Sequence, residues 1–116
     1  METQTLSEKH CVPCEGGTPP LTPEEISEYR KEIQPEWEML DNKKIRREFR
    51  LKNFVKAMAF VDAAADIAES EDHHPDIHIH YNRVVLELWT HAIGGLSEND
   101  FIVAAKIDEI SRIGQI

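Results

Sequence analysis

The sequence predicts an α+β fold: a four-stranded antiparallel sheet with three helices packed on one face. Three observations lead there. Apolar and polar residues alternate in two pairs of adjacent strands, each pair joined by a short turn. Three stretches of helical periodicity flank or separate those pairs, giving the order α-β-β-α-β-β-α. At 116 residues the chain suffices for one core and not for two.

Residues 1–20 are irregular, punctuated by Pro13, Gly16, Gly17, Pro19 and Pro20, and carry one Cys11-x-x-Cys14. The domain proper spans residues 21–116. Its first helix opens at Thr22, with Pro23 at the first helical position and Glu25 completing a capping box, and runs to Ile33 ahead of Pro35. A short strand, Glu36 to Leu40, ends at Asp41-Asn42. In the next strand Ile45, Arg47, Phe49 and Leu51 alternate with a charged set running from Lys44 to Lys52, and Arg47 interrupts the apolar side. Asn53 caps a helix to Ser70 whose stripe is Phe54, Met58, Val61, Ala65 and Ala68, widened by Ala57, Ala64 and Ile67. Ile77, Ile79 and Tyr81 then alternate with His78 and His80, and Val84, Leu86 and Leu88 with Val85, Glu87 and Trp89. After Gly94-Gly95, Ser97 with Asp100 opens a last helix carrying Phe101, Ile102, Ala105, Ile110 and Ile113.

Charge excludes some functions. Acidic residues outnumber basic ones 22 to 13, for a formal charge of −9, which argues against a nucleic-acid backbone or an anionic lipid surface as direct ligand. No apolar run approaches a membrane span, and Met1 to His10 lacks the build of a signal peptide, so the chain reads as cytoplasmic.

Four of the six histidines fall in Asp72-His73-His74-Pro75-Asp76-Ile77-His78-Ile79-His80, and His91 follows. A two-residue loop at Asn82-Arg83 pairs Tyr81 with Val84, Ile79 with Leu86 and Ile77 with Leu88. Carried further, it sets His74 opposite His91, with Cβ atoms roughly 5 Å apart. Alternation then gathers His74, His78, His80, Glu87, Trp89 and His91 on the face away from the core. Imidazole titrates near neutrality, so it can donate a proton in one step and accept it in the next. Carboxylates at Glu69 and Asp72 are placed to orient the rings. Three readings stay open on the residues alone. They are acid–base catalysis by His73, His74 and His91, a metal site built from His78, His80, His74 and Glu87, and a solvated polar face.

Glu69, Asp72-His73-His74-Pro75, Tyr81-Asn82-Arg83-Val84, Thr90-His91 and Gly95-Leu96-Ser97 with Asp100 together resemble the signature of pterin-4a-carbinolamine dehydratases. The resemblance runs from about Leu21 to Ile110, and the N-terminal Lys9-x-Cys11-x-x-Cys14 is similar to that of bacterial and plant members. It implies dehydration of 4a-hydroxytetrahydropterin, the product of aromatic amino-acid hydroxylases, to quinonoid dihydropterin. It also implies catalytic His73, His74 and His91, no metal and no cofactor, and a homodimer or homotetramer. His74 would protonate the leaving hydroxyl, His73 or His91 would take the N5 proton, and Glu69, Asp72, Thr90 and Trp89 would bind substrate. Where animal members carry an aromatic residue two positions after the proline, this chain has Ile77, and Trp89 and Asn99 also differ. The alternative from another class is a dimerisation, assembly or transcriptional coactivator module of the same fold.

For other residues the plainer reading is expected: Asp100 as a helix cap, Thr90 on the apolar strand face, and Trp37 in the core. His10 is expected to be solvated, Cys11 and Cys14 to have no metal or redox role, and Lys43, Lys44, Arg46 and Arg47 to form a solvated basic face.

Overall fold

The structure, a computed structural model, describes residues 5–12 and 19–112, with the side chain of Arg112 excepted. Cys14, Gly16, Gly17 and Ile113 therefore lie outside the described residues. The four strands are antiparallel in the spatial order β1-β2-β4-β3, and the expected α+β order holds.

Thr22 caps α1 (Pro23–Arg30) as a capping box. Its hydroxyl accepts from the Glu25 amide at 3.2 Å, and the Glu25 carboxylate accepts from the Thr22 amide at 2.9 Å. The helix stops at Arg30, short of the expected Ile33, because the Lys31 and Glu32 amides turn back to the Glu28 and Tyr29 carbonyls. The first strand also starts late. The Gln34 amide and the Trp37 indole both donate to Asp108, at 2.9 Å each, which turns residues 34–37 inward and leaves β1 only Glu38–Leu40. Trp37 is fully buried, as expected.

Asp41 and Asn42 both take positive φ in the turn to β2 (Lys44–Arg50), the geometry that matches the twist of a tight hairpin. β2 ends at Arg50 rather than Lys52, since both backbone groups of Leu51 bond to Asn82 of the other hairpin. Arg47, the apparent break in the alternation, does point to the core face. Its guanidinium meets Asp108 at 2.6 Å and lies over the Phe49 ring. Arg47 thus leaves the expected basic face, where Lys44 and Arg46 instead flank Glu87.

Asn53 caps α2 (Phe54–Glu71) by accepting from the Lys56 amide at 2.9 Å. The buried stripe is Ala57, Phe60, Val61, Ala64, Ala68 and Glu71, rotated from the expected one. Phe60 takes the core position beside Phe49, with ring centroids 4.5 Å apart. Phe54 is 47% exposed and stacks on Tyr81 instead.

The second hairpin joins β3 (Asp76–His80) to β4 (Arg83–Leu88), and its register differs from the expected one by two residues. Ile77 faces Leu86, Ile79 faces Val84 and His80 faces Arg83, so the turn is Tyr81-Asn82. Tyr81 takes φ 55°, a left-handed conformation costly for an aromatic residue. The bonds from Asn82 to Leu51 hold that turn in place. A slip of two preserves the faces: Ile77, Ile79, Val84 and Leu86 share one, and His78, Val85 and Glu87 the other.

α3 (Glu98–Arg112) completes the fold. Phe101, Ile102, Val103 and Ile107 pack with the α2 stripe and with Ile45, Phe49, Leu86 and Leu88 in one core, to which Leu6 also belongs. Among the described residues no helix is long and apolar enough to cross a membrane.

Candidate active site

The site lies where α2 ends, β4 ends and α3 begins. At the end of α2 the His73 amide bonds to the Ala68 carbonyl at 3.1 Å and the Asp72 amide to the Glu69 carbonyl at 3.3 Å, a Schellman motif. Asp72 takes φ 54° there, a conformation that short polar residues tolerate. The reversal sends His73 toward α3, and Pro75 holds the following residues extended into β3.

After β4 a second tight reversal forms. Thr90 and Gly95 bridge each other, the Thr90 amide reaching the Gly95 carbonyl at 2.8 Å around a 3-10 turn at His91–Ile93. A Cβ on Gly95 would stand 2.8 Å from the Pro20 ring, so only glycine fits this approach. The loop leads to Ser97, the N-cap of α3, and three residues on to Asp100.

Asp100 is fully buried and joins these pieces. Its Oδ2 accepts from the Ser97 amide at 2.9 Å and the Thr90 hydroxyl at 2.8 Å, while the Thr90 and Ser97 hydroxyls lie 2.7 Å apart. Its Oδ1 stands 2.6 Å from His73 Nε2. Asp100 is therefore both the helix cap expected of it and the partner of a site histidine. An acceptor-only carboxylate places the proton on His73 Nε2, which leaves Nδ1 of the neutral ring as a lone pair. Thr90, expected on the apolar face, serves this network.

His74 pairs with Glu69 at 3.0 Å, both side chains being well exposed. The His91 ring packs on Trp89 with centroids 3.9 Å apart, and the Lys44 ammonium sits 5.4 Å from the other partner of that stack, the indole. The Trp89 indole N–H is buried without an acceptor among the described residues.

One cavity of about 950 Å³ is lined by His73, His74, His91, Trp89, Thr90 and Asp72. The expected catalytic histidines thus share one space, at the end of the β-ribbon rather than on its polar face. β3 begins only at Asp76 and β4 stops at Leu88, so His74 and His91 are not ladder partners. His78 and His80 remain exposed on the outer sheet face, apart from that cavity. Among the described residues no three histidine, cysteine, aspartate or glutamate side chains are grouped to hold a metal ion.

Sequence reasoning missed part of the lining. His10, exposed as expected, and the half-buried Cys11 line the same cavity, and His10 pairs with Glu71 at 2.9 Å. Burial, with help from the Glu71 and Asp100 charges, pushes the Cys11 thiol up to about 12. Cys11 is therefore held as the thiol at neutral pH, a poor nucleophile. No sequence spacing links residue 10 to residue 71; only the long-range packing does.

The family model for pterin 4 alpha carbinolamine dehydratase matches residues 19–110. A protein of Nitrosospira multiformis bearing that family's name is 54% identical over 108 residues, covering 93% of this chain and 94% of its own. One of Nitrosomonas eutropha is 52% identical over 103 residues, 89% and 90% of the two chains. Among solved structures, a transcriptional coactivator/pterin dehydratase from Brucella melitensis superposes with a TM-score of 0.73 at 37% identity, covering 78% of this chain and 97% of its own. A pterin dehydratase-like protein identified as a RuBisCO assembly factor in the alpha-carboxysome shares the fold, with a TM-score of 0.56 at 22% identity over 65% of this chain and 88% of its own. With its sheet order, its histidine cavity and these relatives taken together, the chain belongs to the pterin-4-alpha-carbinolamine dehydratase family.

Proposed function

We propose that this chain is an active dehydratase, converting 4a-hydroxytetrahydropterin to quinonoid dihydropterin and water. The observation that carries this reading is the His73–Asp100 pair on the cavity wall, a buried carboxylate fixing the tautomer of an imidazole. In the reaction the C4a–O bond breaks as a proton reaches the departing hydroxyl, the N5–H bond gives up its proton, and a C4a=N5 double bond forms. His73, with Nδ1 as lone pair, suits removal of the N5 proton. His74, exposed and 3.0 Å from Glu69, suits delivery of a proton to the hydroxyl, because the carboxylate orients its ring and bulk water can recharge it. His91, packed on Trp89, completes the set, and the two rings wall the cavity. Glu69, Asp72, Thr90 and Trp89 are the proposed substrate-binding residues, Thr90 acting through Asp100.

The proposed setting is tetrahydropterin recycling beside an aromatic amino-acid hydroxylase in the cytoplasm. Self-association into a dimer or tetramer is supported by apolar surface left open at Phe54, Val55, Ile79 and Tyr81, next to the unpaired edge of β3. Phenylalanine hydroxylase turnover with and without the protein tests the activity: the 4a-hydroxy intermediate should decay faster in its presence. His73→Ala or His74→Ala should slow that decay about 10²- to 10⁴-fold. Undiminished activity in the double variant ends the proposal.

A further inference from the structure

The cavity has a wall that the three expected histidines do not supply. Residues 5–12 form an arm across α3 and the end of α2, ending in the cavity-lining His10, Cys11 and Val12. This arm lies outside the residues matched by the family model, which begin at 19. It is firmly seated. Leu6 is 2% exposed within the core, Lys106 donates to the Ser7 carbonyl at 2.8 Å, and Lys9 pairs with Glu98 at 2.7 Å. Asn99 bonds the Val12 backbone in both senses, accepting from its amide at 3.1 Å and donating to its carbonyl at 2.6 Å.

Glu71 is the informative residue. A carboxylate in the last turn of a helix meets the negative end of the dipole, and this one is also 5% exposed. Burial alone would raise its affinity for a proton. The Cys11 amide at 2.7 Å, His10 Nδ1 at 2.9 Å and the Lys106 ammonium at 3.5 Å outweigh that and hold its carboxyl below the ordinary value. Both hydrogen bonds come from the arm. With Nδ1 committed to Glu71, Nε2 is the ring nitrogen of His10 left for a ligand. His73–Asp100, His74–Glu69 and His10–Glu71 are then three imidazole–carboxylate pairs around one cavity.

We infer that the arm is a working part of the substrate site, with His10, oriented by Glu71, hydrogen-bonding the bound pterin. The inference rests on the reading above that the cavity takes a pterin. Glu71 and Asn99 are positioning residues; His10 is the one that touches the ligand.

Titration with 7,8-dihydrobiopterin, followed by tryptophan fluorescence, tests it beside dehydration kinetics. His10→Ala should raise Kd and KM about 5- to 20-fold, the worth of one hydrogen bond to a partly charged group, and should raise KM by more than it lowers kcat. Glu71→Gln should do the same, and His10→Gln should recover part of the loss. Amide exchange at Cys11 and Val12 should slow when the pterin binds, which a merely structural strap would not show. Unchanged Kd in His10→Ala together with unchanged exchange overturns the inference. Binding that depends on His10 in a protein without turnover upholds it and removes the dehydratase reading instead. A full-length protein that binds no pterin removes both.

Discussion

Asp100 accepts from the Ser97 amide, the Thr90 hydroxyl and His73 at once. Asp100→Asn keeps the shape but must present N–H groups to donors, so His73 is pushed toward its other tautomer. Dehydration kinetics should show kcat down about 10²- to 10⁴-fold while the circular dichroism spectrum is kept. A smaller loss than tenfold would show that His73 does not depend on this partner. Glu71 gives the pH prediction. Its carboxyl sits below the ordinary 4.5, so the stabilisation of its charged form is complete above that pH and is lost as pH falls through the folded value. The urea midpoint of wild type should therefore exceed that of Glu71→Gln most clearly near neutrality, and the two should converge in acid. A constant gap across pH contradicts the assignment. That His73 and His74 share one cavity with His91 was legible because two of them adjoin in a histidine-rich stretch and the resemblance adds the third. His10 and the second role of Asp100 were not, since each depends on a partner 61 or 27 residues away.

Two tight reversals hold the site, and each depends on one backbone requirement. Gly95→Ala would drive a methyl into Pro20 at 2.8 Å, so a thermal melt should register a loss of about 1–3 kcal/mol. A melt unchanged within error would mean that the loop relaxes freely. Elements themselves were readable from alternation and capping, Thr22 with Glu25 being the clearest case. Their ends were harder. Ile33 and Lys52 look like the last residues of regular elements, yet distant groups, Asp108 and Asn82, claim the backbone beside them. The second hairpin slipped because Asn82-Arg83 resembles a turn, whereas the bonds from Asn82 to Leu51 let Tyr81 take the left-handed position. A slip of an even number left the faces correct, which is why the core could still be read from the pattern.

Across the whole molecule, Asp108 ties α3 to β2 and to the chain before β1. It receives Arg47, the Trp37 indole and the Gln34 amide, and burial still leaves its carboxyl above the ordinary range. Removing it strands a buried guanidinium, so Asp108→Ala should lower stability by about 3–5 kcal/mol in urea unfolding. A loss under 1 kcal/mol would mean that water replaces the carboxylate. Paired replacement of Arg47 and Asp108 by apolar residues should recover much of that loss.

The arm also bears on the order of assembly. Leu6 and Ser7 leave the ribosome well before α3, yet Ser7 bonds Lys106, 99 residues further on. Its docking ground does not exist until the last helix has been made. Residues made well before α3 are thus among the last to find their place, and the cavity is walled only once α3 has been made.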